Sequence, residues 1–148
     1  MTLDLGTVDL WAWTGHFLMT ALVIWALWRG GVAERLSALI IFVGWSLTPV
    51  VQSVGVIGLD PGTTLVDVIA TICLIWLSER KRKLWLLLAS ACALLGTTGH
   101  FASEISPPAE FRAYFLNNGF WSGYMLLLAL FIGMLNAERG RVPVNSQG

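Results

Sequence analysis

Five apolar runs, with eight of the nine basic residues in the short gaps between them or in the tail beyond them, dominate this chain of 148 residues. An apolar stretch of about 20 residues crosses the hydrocarbon core of a bilayer as a helix, because a helix satisfies its backbone polar groups internally. The runs lie at about 10–28, 36–57, 64–78, 84–101 and 111–136. Composition agrees with a lipid-facing chain: 56% of the residues are hydrophobic and 12% charged, against about a quarter charged in soluble proteins. The expected fold is all-α, a polytopic integral membrane bundle of five transmembrane helices in a single domain over 1–148. The third run is short for a span, and the count falls to four if it does not cross.

Glycine and proline set the boundaries. Gly30 and Gly31 suit the end of the first helix. Pro49 interrupts the ladder of the second, where Thr48, Ser53 or a neighbouring helix can satisfy the freed carbonyl. A turn is expected from Gly58 to Gly62, and Ser106 followed by Pro107 offers an early start to the fifth helix. Thr64 and Asp67 have the spacing of a capping box. Asp4 and Asp9 stand where a secretory signal would carry Lys or Arg, so the first helix is expected to be retained.

Charge then orients the bundle, because short cytoplasmic loops retain Lys and Arg. With five spans, Arg29, Arg35, Arg80, Lys81, Arg82, Lys83, Arg139 and Arg141 fall on one side and Arg112 alone on the other. Asp4, Asp9, Asp60, Glu104 and Glu110 share the side of Arg112. The N-terminus is therefore expected outside and the C-terminus in the cytoplasm, in a multi-pass protein of the inner (cytoplasmic) membrane. Trp11 and Trp13 would form the outer aromatic belt, and Trp25, Trp28, Trp76 and Trp85 the inner one.

The same features exclude several functions. Formal net charge is zero, and nucleic acid is not an expected partner, because binding it requires clustered cations on a folded surface. Cys73 and Cys92 sit in separate runs and suggest neither a redox pair nor a zinc site. There is no serine elbow, no His-Glu-x-x-His, no Gly-rich phosphate loop and no acid pair on a shared face, so no catalytic residue is assigned and no enzyme activity is expected.

What remains is polar residues at one depth. Both histidines occur in the tetrapeptide Thr-Gly-His-Phe, at Thr14–Phe17 and Thr98–Phe101. One copy begins an inward-running helix and the other ends an outward-running one, so His16 and His100 share a level near the outer surface. Gln52 continues a stripe of Ser37, Gly44 and Thr48, and Asp67 lies with Thr64, Ala70, Thr71 and Ser78. Asn118 heads a stripe of Ser122, Ala129, Gly133 and Asn136, while the fourth helix carries Ala89, Cys92, Ala93, Gly96, His100 and Ser103. Small residues at three and four spacing mark faces turned to other helices. His16, Gln52, Asp67, His100 and Asn118 are thus expected to converge on a polar pocket open to the outer side.

Two function classes fit these observations. The first is a structural or accessory subunit without catalysis of its own, whose polar groups form an interhelical network. Its partners would be the lipid bilayer and a homo-oligomer or larger membrane complex. The second is a binder of a cofactor or small ligand in the outer pocket: a b-type haem between the two imidazoles, a divalent metal on His16, His100 and Asp67, or a quinone headgroup. A transporter is disfavoured, because no repeat with broken helices is visible and no ionisable residue sits at the midplane.

Overall fold

A computed structural model describes residues 5–53, 60–105 and 118–141. They form five helices and, among the described residues, no strand: α1 Leu5–Arg29, α2 Val32–Val51, α3 Pro61–Lys81, α4 Leu84–Ile105 and α5 Gly119–Arg139. Among the described residues α2, α3, α5 and the stretch Leu84–Ala102 of α4 are each long and apolar enough to cross a membrane, and α1 has 25 residues. The fold is an all-α membrane bundle.

The helices exceed their apolar runs mainly because their polar ends are built to start and stop them. α3 begins at Pro61, not near Thr64, because Asp60 is its N-cap: Oδ2 accepts from the backbone N–H and the hydroxyl of Thr63, at 3.0 and 2.7 Å. Proline suits the first helical position, where no N–H is needed. This corrects the capping box expected of Thr64 and Asp67, since Asp67 lies beyond the first turn. The 21 residues of α3 also remove the shortfall that put its span in doubt. At its far end Arg82 adopts a left-handed conformation, φ 49°, and its N–H bonds the Ser78 carbonyl at 2.8 Å. α2 stops at Val51, two residues after Pro49. The Thr48 hydroxyl donates to the Gly44 carbonyl at 2.9 Å, and the Gln52 N–H caps the helix on the Thr48 carbonyl. The expected turn residues Gly58 and Leu59, the Ser106–Pro107 start, Glu110 and Arg112 lie outside the described residues.

α4 packs antiparallel against both α3 and α5, whereas α1 and α5 lie side by side in parallel. Half of its span is buried, more than for α2, α3 or α5. Ala89, Cys92, Ala93, Gly96 and His100 are buried, whereas Leu87, Leu88, Ala91, Leu94 and Leu95 are exposed. Small side chains therefore mark the inward face, as the three and four spacing implies. A Cβ on Gly96 would collide with the side chain of Ser122 on α5. A Cβ on Gly133 of α5 would come within 2.6 Å of the Trp85 ring, so Trp85 packs inside the bundle and not in an interfacial belt. Trp28 and Trp76 do stand exposed.

Ion pairs close the basic end. The guanidinium of Arg29 grips Glu138 of α5 in two places, at 2.7 and 2.9 Å. Lys83 Nζ lies 2.6 Å from Oε1 of Glu34, whose side chain is 1% exposed. Elsewhere the outward faces are apolar, with Phe42, Val43 and Leu47 on α2, Leu65, Ile69 and Ile72 on α3, and Leu87, Leu94 and Leu95 on α4.

Candidate functional site

At the end opposite those ion pairs the helices enclose a partly open cavity of about 360 Å³, lined from all five of them. His16, Gln52, Asp67, His100 and Asn118 all line it. They arrive from five different helices or helix ends. Each lies within a few turns of the same end of its helix, so at 1.5 Å per residue they share a layer.

The best-defined polar contact joins α3 to α4. His100 Nε2 lies 2.9 Å from Asp67 Oδ2. The imidazole is 2% exposed and the Asp67 side chain 23%. One turn deeper, the hydroxyls of Thr71 and Thr97 bond at 2.9 Å. Two interhelical hydrogen bonds thus lie one above the other on the same helix pair. His100 is the buried buttress, and Asp67 is the member turned towards open space.

His16 occupies another part of the wall. Its ring meets the Trp45 indole edge-on, with centroids 5.4 Å apart. Trp45 itself is held between two glycines, because a Cβ on Gly15 would come within 3.4 Å of the indole and one on Gly123 within 3.5 Å. Trp11 packs edge-on against Tyr124, with centroids 4.3 Å apart, and the Tyr124 hydroxyl donates to the Trp11 carbonyl at 2.8 Å. Trp11 therefore lines the cavity and does not serve as a belt residue, while Trp13 beside it is 75% exposed.

Asn118 precedes a wider helical stretch. Residues Gly119–Met125 of α5 form a π-helix, a geometry that often accompanies functional sites. Ser122 within it donates to the Asn118 carbonyl at 2.8 Å. Among the described residues the side-chain Oδ1 of Asn118 is buried without a hydrogen-bond partner. Gln52 stands at the exposed end of α2 beside Asp60. The Asp60 carboxyl is lowered to about 2, from 3.8, chiefly by the side-chain and backbone hydrogen bonds of Thr63.

No family model, curated protein or solved structure matches the chain. What the site can do follows from its own chemistry. Among the described residues no three His, Cys, Asp or Glu side chains are grouped so as to hold a metal ion, so His16, His100 and Asp67 do not form the divalent-metal site expected of them. Iron ligation by His100 fits poorly too, because its ring is almost wholly enclosed and its Nε2 is engaged by Asp67.

The aromatic wall and Asp60 were not among the residues expected to form the site. Asp60 carried a readable signal, an acidic residue directly before proline at a helix start. Trp45 carried one as well, since Ile41, Trp45, Thr48 and Gln52 recur at four and three spacing and share a face. Trp11 and Tyr124 carried none that separates a cavity wall from an interfacial belt.

Proposed function

We propose that this protein binds a small organic ligand within the membrane, in the cavity between its five helices. The observation that carries this reading is the convergence of His16, Gln52, Asp67, His100 and Asn118 on one space of about 360 Å³ whose remaining walls are largely aromatic and aliphatic. Ligand sites of about 300–1,000 Å³ typically combine an apolar lining with a few placed polar groups. Helices packed for support alone have no need of such a space. A b-type haem and a divalent metal form no part of the proposal, given the enclosure of His100 and the absence of a three-ligand cluster among the described residues.

The proposed setting is the inner (cytoplasmic) membrane, with the N-terminus and cavity outside and the C-terminus in the cytoplasm. Eight of the nine Lys and Arg residues on one side support this orientation. A reporter fused after Gly148 should be active in the cytoplasm, and activity on the outside would reverse the orientation. The exposed aliphatic faces support contact with lipid.

A second reading has its own support. The Asp67–His100 and Thr71–Thr97 bonds tie α3 to α4, as an accessory subunit docked in a homo-oligomer or larger membrane complex would also need. A thermal-shift screen of small molecules on the purified protein separates the two. Ligand binding predicts compounds that stabilise the parent but not Gln52→Trp, which plugs the mouth from an exposed position. Compounds that stabilise neither, or both equally, would favour the accessory reading.

A further inference from the structure

The cavity has a one-sided charge. Among the described residues that line it none is Lys or Arg, whereas two are aspartates, Asp60 and Asp67. Asp60 is committed to the start of α3, with Oδ2 on Thr63 and Oδ1 accepting from the Ser53 N–H at 3.3 Å. Asp67 shares a hydrogen bond with His100 through Oδ2, and its side chain, 23% exposed, lines the cavity. Asp67 therefore presents an acceptor to the cavity on a carboxyl group that His100 holds in place. Asn118, also in the wall, has a buried Oδ1 that finds no donor among the described residues. The aromatic side chains of Trp11, Trp45 and Tyr124 line the same space.

The complement of these groups is a molecule that brings N–H donors, a positive charge and an apolar body. A charge-assisted N–H to carboxylate hydrogen bond is among the stronger polar contacts, and indole faces attract cations as well as apolar groups. From this we infer that the ligand is a protonated organic amine, with its ammonium on Asp67 and its hydrocarbon or aromatic body against Trp45 and Trp11. The inference rests on the ligand-binding reading above and names its chemical class. Among the described lining residues an anion would meet two carboxyl groups and no Lys or Arg. A bare inorganic cation would leave most of the cavity unfilled.

Isothermal titration of the full chain in detergent tests the inference with three probes of one shape: 2-phenylethylammonium, neutral 2-phenylethanol and anionic 3-phenylpropionate. The ammonium is expected to bind about tenfold or more tighter than the alcohol, the scale of a hydrogen bond to a charged group, with the anion weakest. Asp67→Asn should remove the advantage of the ammonium while retaining the alcohol. Equal affinity of the alcohol and the ammonium for the parent protein overturns the amine assignment and leaves ligand binding standing. An ammonium preference that persists in Asp67→Asn overturns the role of Asp67. Binding of none of the three overturns the amine assignment, and if the thermal-shift screen is also blank the ligand-binding reading falls with it. The comparison of probes on the parent protein decides the amine question even if the variant fails to fold.

Discussion

His100 on α4 and Asp67 on α3 meet at 2.9 Å across the helix interface, the histidine buried and the aspartate facing the cavity. The pair fixes one helix against the other and aims a carboxyl group. Its energetic signature is coupling. His100→Ala and Asp67→Ala should each destabilise the protein, and the double variant should cost less than their sum by about 0.5 to 3 kcal/mol, the range for residues in contact. Chemical or thermal unfolding in detergent measures the cycle. Additive losses would mean that the two side chains do not interact in the folded protein.

The α4–α5 contact makes a steric prediction. Gly96 admits Ser122 where a side chain would collide, so Gly96→Leu should cost at least about 1 to 3 kcal/mol, as overpacking does. Ser122→Gly should recover part of the milder Gly96→Ala. Leu95→Ala, on the exposed face, should be mild by comparison. Equal melting temperatures for the parent and Gly96→Ala would place the helices farther apart than described.

Asp60 links stability to pH. Its folded value of about 2 lies below the ordinary 3.8 because the bonds to Thr63 favour the carboxylate. A depressed carboxyl stabilises the fold above the unfolded value, and that contribution is lost as pH falls from about 4 towards 2. Asp60→Ala should therefore melt lower than the parent at neutral pH and lose less on acidification. Parallel melting curves against pH for the two proteins would show that the cap is not formed.

At the basic end Glu34 is buried on α2, with Lys83 paired to Oε1 and Oε2 without a partner among the described residues. Lys83→Ala should destabilise by about 1 to 3 kcal/mol, because a buried polar group loses its compensation, whereas Lys81→Ala should be near neutral. Adding Glu34→Gln should restore part of the loss. No difference between the two lysine variants in thermal unfolding would remove the pair from the account.

The layer in which the site lies was legible in the sequence, because helix rise converts position in a run into depth and small residues mark the inward face. These two rules brought His16, Gln52, Asp67, His100 and Asn118 to one level, and the burial of Ala89, Cys92, Ala93 and Gly96 follows from the second. Neither rule fixes which side chains touch across a layer. The partner of His100 and the sandwich of Trp45 between Gly15 and Gly123 depend on rotations of whole helices. Trp11 and Trp85 were misplaced because an indole near a membrane interface has the same sequence signature whether it faces lipid or the bundle. The start of α3 was missed because apolar periodicity begins after its cap. Asp60 and Pro61 mark the helix by backbone hydrogen bonding and not by hydropathy.

The central claim is an open cavity reaching Asp67 from the side opposite the basic end. Its most direct measurement is the reactivity of a cysteine at Ala70, one turn below Asp67 and in the cavity wall, in a background with Cys73→Ala and Cys92→Ala. A membrane-impermeant thiol reagent is applied to either face of oriented vesicles. The account predicts labelling of Ala70→Cys from the N-terminal face alone, suppression by Gln52→Trp, and no labelling of Ile69→Cys, which lies on the exposed apolar face of α3. Failure of Ala70→Cys to react from the N-terminal face, or reaction from the basic face, would contradict it.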